Sequence, residues 1–222
     1  MSTLQTLDRG VQMLFAIAAN GGMSVAELAT ELGLPRANAY RLAATLVEHH
    51  LLQRGDDGLL RLGAALPALA SHYWPGFLTI AQPILKDLAD DAGATGFVSV
   101  AEGDACVVVL TAEPSVPILR VGYRAGGRHP LTVGAAGLAI LAARSSRPSD
   151  PPQVVEARER GYSVTRGELQ QGAVGVAAAL PRARESAAVE ASIGIVAMDG
   201  FDVDAAIPLV VEAAQRLAVL DA

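Results

Sequence analysis

Three side chains in the stretch PRANAYR, namely Arg36, Asn38 and Arg41, carry groups that can read nucleic acid. An asparagine amide can bond adenine in a bidentate way, and an arginine can do the same to guanine or hold a phosphate. Arg54 and Arg61 flank the turn GDDG further along and suit DNA backbone. The expectation is that Asn38 reads a base, that Arg36 and Arg41 hold phosphate or guanine, and that Arg54 and Arg61 hold backbone. A capping or solvent-facing Asn38 is the alternative.

Other chemistries find weaker footing. A covalent mechanism would need Cys106 or Ser192 as nucleophile and His129 as base. Cys106 lies in the apolar run ACVVVL, where a free cysteine is usually inert core. No acid is placed in sequence to orient His129. His49, His50, His72 and His129 lack a metal-ligand spacing. One cysteine excludes an internal disulfide and a cysteine-based structural metal site. The expectation is no catalysis, no metal and no cofactor.

The elements around the arginines have local signatures. Ser24 and Glu27 form an S-x-x-E capping box. Val25, Leu28, Ala29 and Leu32 follow at helical spacing, and Gly33 can end that helix at positive φ. Pro35 suits the start of a second helix. Its packed face is Ala39, Leu42, Ala43, Leu46 and Val47, with Arg36, Asn38 and Arg41 opposite. LLQR, GDDG and LLRL then read as two strands around a turn. Helix, turn, helix and hairpin in that order predict a winged helix-turn-helix, whose second helix fits a major groove. A helical hairpin that merely packs is the plainer alternative.

Across 222 residues the hydrophobic fraction is 51% but aromatics are only 4%, so Ala, Val and Leu must fill the core. No apolar run reaches the roughly 18 residues of a membrane helix. MSTLQTLDRG lacks the basic and apolar regions of a signal peptide, so a cytoplasmic location is expected. Net charge is −6. Residues 1–63 hold five arginines against six acids, net −1, so the remainder carries most of the imbalance. Phosphate contacts would be few per subunit, and useful affinity would need a dimer or tetramer.

Along the chain, residues 4–19 read as a helix with Leu7, Val11, Leu14, Phe15 and Ile17 or Ala18 facing inward. Residues 64–92 look mostly helical, broken near Trp74-Pro75-Gly76. Tyr73, Trp74 and Phe77 cluster there as core or as an interface. Strands are expected at Thr95–Ala101, Ala105–Ala112, Pro117–Tyr123, Ala173–Leu180 and Ala188–Met198. Helices are expected at Gly134–Arg144, 153–160 and Asp204–Leu220. The fold class is therefore α+β with an antiparallel sheet. The expected division is a DNA-binding domain at 1–63, a linker helix region at 64–80 and an effector-binding and oligomerisation domain at 81–222.

With both halves placed, the chain resembles the IclR family of bacterial transcriptional regulators over nearly its whole length. LDRGVQMLFAI resembles the family's opening helix, and GLPRANAYRLAATLVEHHLL its recognition helix and approach to the wing. HPLTVGAAGLAILAA, RERGYSVTRGE, GAVGVAAALP and ASIGIVAM follow in family order. The resemblance implies a sequence-specific, ligand-responsive repressor or activator. It implies a homodimer or homotetramer on double-stranded operator DNA, with a C-terminal domain of GAF-like or profilin-like fold. Arg41 matches the family's usual recognition-helix arginine, whereas Asn38 and Ala37 stand where hydroxyl side chains are common. The resemblance also implies a pocket at Ala135, Ala136, Thr165, Gly175, Gly194 and Val196. Amides at the helix start near Gly134 could hold an anion. Small side chains at three of the last four positions favour an effector larger or more apolar than a small hydrophilic acid. Leu138 stands where a lysine is frequent. Glu168 matches a common family acid and either caps local amides or meets a ligand; His129 is a loop residue or a ligand contact. A ligand-binding module whose helix-turn-helix makes only protein contacts is the rival function.

Overall fold

The computed structural model describes residues 4–72, 76–116, 123–180 and 189–220, with side chains to 218. The chain divides into two compact units, 1–75 and 76–222. The expected linker is shared between them. Its short helix α4 (Ala65–Ala70) falls in the first unit, and the helix beginning at Phe77 falls in the second. Tyr73 and Trp74 lie outside the described residues, while Phe77 is 2% exposed core.

The first unit runs α1 (Gln5–Asn20), α2 (Val25–Glu31), α3 (Arg36–Glu48), β1 (Leu52–Arg54), β2 (Leu60–Leu62) and then α4. β1 and β2 pair antiparallel, and Met23 bridges to Leu60 through two backbone hydrogen bonds of 3.0 and 2.8 Å. The core gathers Met13, Ile17, Val25, Leu28, Ala39, Ala43, Leu52 and Leu60. Alanines at 39 and 43 keep α3 close to its neighbours.

The inward face of α1 is only partly the expected one: Ile17 is buried and Leu14 packs partly buried against the core, but the rest of the face differs. Gly10, Met13, Ala16 and Ile17 are buried, whereas Leu7, Val11 and Phe15 are 65%, 41% and 56% exposed. Helical periodicity fixes the spacing of a face but not which of two apolar faces meets the core. The exit from α3 is tight. His50 takes the left-handed conformation at φ 55, and a Cβ on Gly63 would lie 2.1 Å from the His50 carbonyl oxygen.

The second unit comprises α5 (Phe77–Ala92), β3 (Thr95–Glu102), β4 (Ala105–Ala112), β5 (Arg128–Pro130), α6 (Ala135–Ala142), α7 (Pro152–Arg160), β6 (Ser163–Arg166), β7 (Ala173–Ala179), β8 (Ala191–Met198) and α8 (Val203–Leu220). The sheet is antiparallel throughout, in the order β5-β4-β3-β8-β7-β6. Alternation along β3 assigns its faces. Gly96 abuts Leu85 of α5, while Phe97 joins the cluster around Ala135, Ala136 and Ala139 of α6. This is the α+β, two-domain class expected. Two strands, β5 and β6, were not expected; at three and four residues they are too short for a clear period. The expected strand Pro117–Tyr123 lies outside the described residues except for Tyr123. No helix among the described residues is long and apolar enough to cross a membrane.

Candidate functional site

Local hydrogen bonds hold the first unit's helix pair. The Glu27 carboxylate accepts the Ser24 amide at 2.8 Å, and Ser24 Oγ accepts the Glu27 amide at 3.2 Å. These bonds hold the Glu27 carboxyl below its ordinary pKa. Gly33 turns the chain at φ 61, and the Leu34 amide donates to Ala29 O at 2.8 Å. α3 then buries Ala39 and Ala43 and leaves Arg36, Ala37, Asn38, Tyr40, Arg41, Ala44 and Thr45 exposed.

The predicted DNA-binding residues do not form one cluster. Asn38 and Arg41 line a groove with Gln5 and Thr6 of α1 and with Thr45. Arg36 lines a separate hollow with Glu27 and Glu31 of α2. Positions two apart on a helix are separated by about 200°, which places Arg36 and Asn38 on opposite flanks. The wing arginines are partly engaged. Arg54 Nη1 donates to Gly58 O at 3.2 Å. Arg61 binds Asp57 through two bonds of 2.9 and 2.5 Å. Gly55 gives that pair its room, because a Cβ there would lie 2.3 Å from Arg61 Nη1.

In the second unit, Ala135, Ala136, Thr165, Gly175 and Val196 line one cavity of about 130 Å³ beside α6. Phe97, Tyr123 and the Glu168–Gln170 segment complete much of its wall. Gly194 is not brought to that lining. A Cβ on it would sit 2.2 Å from Val176 O and 2.7 Å from Phe97 Cζ, so its place is to admit the Phe97 ring and the neighbouring strand. Two buried hydroxyls fix the start of α6. Ser163 Oγ donates to Ala135 O at 2.6 Å, and Ser192 Oγ donates to Ala136 O at 3.1 Å. Glu168 Oε2 accepts the Gly134 amide at 2.7 Å, so it caps a helix start 34 residues away. A larger hollow of about 340 Å³ lies against Arg158 and Glu190. Arg158 is committed there to Ala142 O at 3.0 Å and Asp150 at 2.8 Å.

Tyr123 packs edge-on against Phe97 with ring centroids 4.9 Å apart, and its hydroxyl lies 3.0 Å from His129 Nε2. Burial raises the tyrosine pKa. Cys106 faces His129 across the β4–β5 ladder but is wholly buried. Burial pushes its thiol up to about 11, which leaves no thiolate at neutral pH. Among the described residues no hydrogen bond joins the two, and no three His, Cys, Asp or Glu gather as a metal site.

Residues 6–56 match the IclR helix-turn-helix domain. The chain is 29% identical over 144 residues to the transcriptional repressor IclR of Escherichia coli, covering 63% of this chain and 53% of the relative. It is 31% identical over 142 residues to the transcriptional regulator TtgV of Pseudomonas putida, covering 63% and 54%. It thus spans about half the length of these curated relatives. An IclR-family structure from Rhodococcus sp. superposes with a TM-score of 0.56 at 26% identity, covering 99% of this chain and 94% of that one. An IclR homologue from Microbacterium hydrocarbonoxydans, solved with 4-hydroxybenzoate, shares the fold with a TM-score of 0.70 at 20% identity, covering 96% and 98%.

The chain belongs to the IclR family. In this IclR-family chain, sequence reasoning missed Gln5, Thr6 and Thr45 beside Asn38 and Arg41, and also Tyr40, which is 54% exposed on α3. Thr45 lies seven residues after Asn38 and four after Arg41, so helical spacing would have found it. The contribution of α1 to the groove is tertiary and leaves no local signal. The same is true of Phe97 and Tyr123 in the cavity wall.

Proposed function

We propose that this protein is a transcriptional regulator that binds operator DNA through α3 and the wing and responds to a small, largely apolar effector in the α6 cavity. The observation that carries the reading is the groove shared by Asn38, Arg41, Gln5 and Thr6, on a helix whose other face is fixed by buried Ala39 and Ala43. Asn38 and Arg41 meet base edges in the major groove; Arg36 and Arg54 meet phosphate, and Arg61 does so to the extent that it leaves Asp57. Ala135, Ala136, Thr165, Gly175 and Val196 contact the effector, and Gly194 shapes the wall behind Phe97. Residues 1–63 serve DNA, 64–80 connect and 81–222 bind effector. The protein works in the cytoplasm, where its DNA is.

Two copies act together. Leu4 just before α1, with Leu7, Val11 and Phe15 on it, forms an exposed apolar stripe, at 77%, 65%, 41% and 56% exposure. Such a stripe at three- and four-residue spacing suits a second copy of the same helix. A dimer also places two recognition helices on successive major grooves about 34 Å apart. An effector that prefers one spacing of these helices changes affinity without touching a base, up to the limit set by its differential affinity.

Support comes from the kinship with repressors and, for a ring-sized effector though not for its charge, from a homologue that holds 4-hydroxybenzoate. The test is selection of bound sequences from a random library with the wild type and with Asn38→Ala. One or more adenine positions should relax by about 1–3 kcal/mol each. An unchanged preference would remove Asn38 from the readout.

A further inference from the structure

Resting on the reading of the α6 cavity as the effector site, we infer that this site accepts small uncharged molecules and turns away carboxylates, and that Glu168 sets the preference. The cavity measures about 130 Å³, and none of its lining residues is cationic. Glu168 is the charged group on that lining. A helix start with open N–H groups would otherwise welcome an anion. Here the protein's own carboxylate has taken the place, since Glu168 Oε2 accepts the Gly134 amide at 2.7 Å.

The arrangement is built rather than incidental. Leu169 lies over Gly134, where a Cβ would fall 2.6 Å from Leu169 Cδ1, and Gly134 has φ 82. The loop that carries Glu168 and Leu169 begins and ends at left-handed glycines, Gly167 (φ 70) and Gly172 (φ 76). An entering carboxylate therefore meets a like charge and finds one amide already used. An uncharged ring meets Phe97, Ala135 and Val196, with Thr165 and Gln170 as polar partners. An apolar cavity of about 150 Å³ is known to hold benzene, so a single ring is the right scale. Two like charges about 5 Å apart in partly hydrated surroundings lower affinity roughly tenfold.

The test is calorimetric titration of the full-length, DNA-free protein with benzamide, benzyl alcohol and benzoate. The neutral probes should bind, with benzoate roughly tenfold weaker. Glu168→Gln keeps an acceptor for the Gly134 amide and removes the charge. It should raise benzoate affinity while leaving benzamide within about twofold. In the wild type, added salt should narrow the gap between benzoate and benzamide, because it screens the repulsion; this arm needs no variant. Benzoate binding as tightly as benzamide, a variant that shifts both probes equally, or no binding of either neutral probe up to its solubility limit would each overturn the inference. DNA plays no part in these titrations. A protein that discriminates the probes yet ignores DNA would refute the regulator reading alone.

Discussion

Replacing Asp57 with Asn should strengthen DNA binding. Asp57 holds Arg61 through bonds of 2.9 and 2.5 Å and accepts the Leu59 amide at 3.1 Å. Asparagine keeps an oxygen for that amide, so the wing turn survives, but it surrenders the charge that engages Arg61. The freed guanidinium can then neutralise a phosphate. Each phosphate neutralised adds about −0.9 to the slope of log affinity against log salt. A dimer gaining two such contacts steepens by roughly 1.8, so a fourfold rise in salt costs about 12-fold more affinity than in the wild type. The assay is fluorescence anisotropy on one labelled operator duplex across 50 to 200 mM salt, the range over which phosphate contacts show most clearly. An unchanged slope would refute the reasoning, because it would show that releasing Arg61 from Asp57 adds no phosphate contact. The pair itself is insensitive to ordinary pH. Asp57 is held at about 2, below its ordinary 3.8, chiefly by its hydrogen bond to Arg61. Any stability linked to it is present above the ordinary value and is lost as pH falls through about 2. Between about pH 5 and 9, neither stability nor DNA affinity should change through Asp57.

Three further outcomes follow from the packing. Gly194→Ala forces a Cβ to 2.2 Å from Val176 O and 2.7 Å from Phe97 Cζ. It should cost about 1–3 kcal/mol, read as a fall of several degrees in melting temperature. His50→Gly relieves a left-handed non-glycine at φ 55 and should add about 0.5–1 kcal/mol in chemical denaturation; a loss would mean that the imidazole itself supports the α3 exit. Cys106, with its thiol raised to about 11, should resist a thiol reagent at pH 8 in the folded protein and react fully once the protein is unfolded in guanidinium.

The parts of the fold legible in sequence are those governed by local rules. The Ser24–Glu27 box, the Gly33 turn and the hairpin around GDDG each depend on a few neighbouring residues, and each is present. The face of α1 was legible only in part: Leu14 and Ile17 face the core as expected, but Leu7, Val11 and Phe15 compete with Gly10, Met13 and Ala16 at similar spacing and only tertiary packing chooses. Arg36 and Asn38 could have been separated in advance, since positions two apart on a helix point in nearly opposite directions. At the cavity, five of the residues named from the resemblance lie together, but Gly194 is claimed by the Phe97 ring. The meeting of Glu168 with Gly134, 34 residues apart, depends on how β6 and α6 pack and has no signature in the chain.

The central claim is that α3 and the wing read an operator. The most direct measurement is selection of genomic fragments by the purified protein, followed by titration of the best fragment at two salt concentrations. Selective binding that weakens steeply with salt, and that is lost with Arg41→Ala, is the predicted result. Failure to enrich any sequence, with and without neutral ring-sized probes, would contradict the account and leave a ligand-binding module whose helix-turn-helix meets only protein.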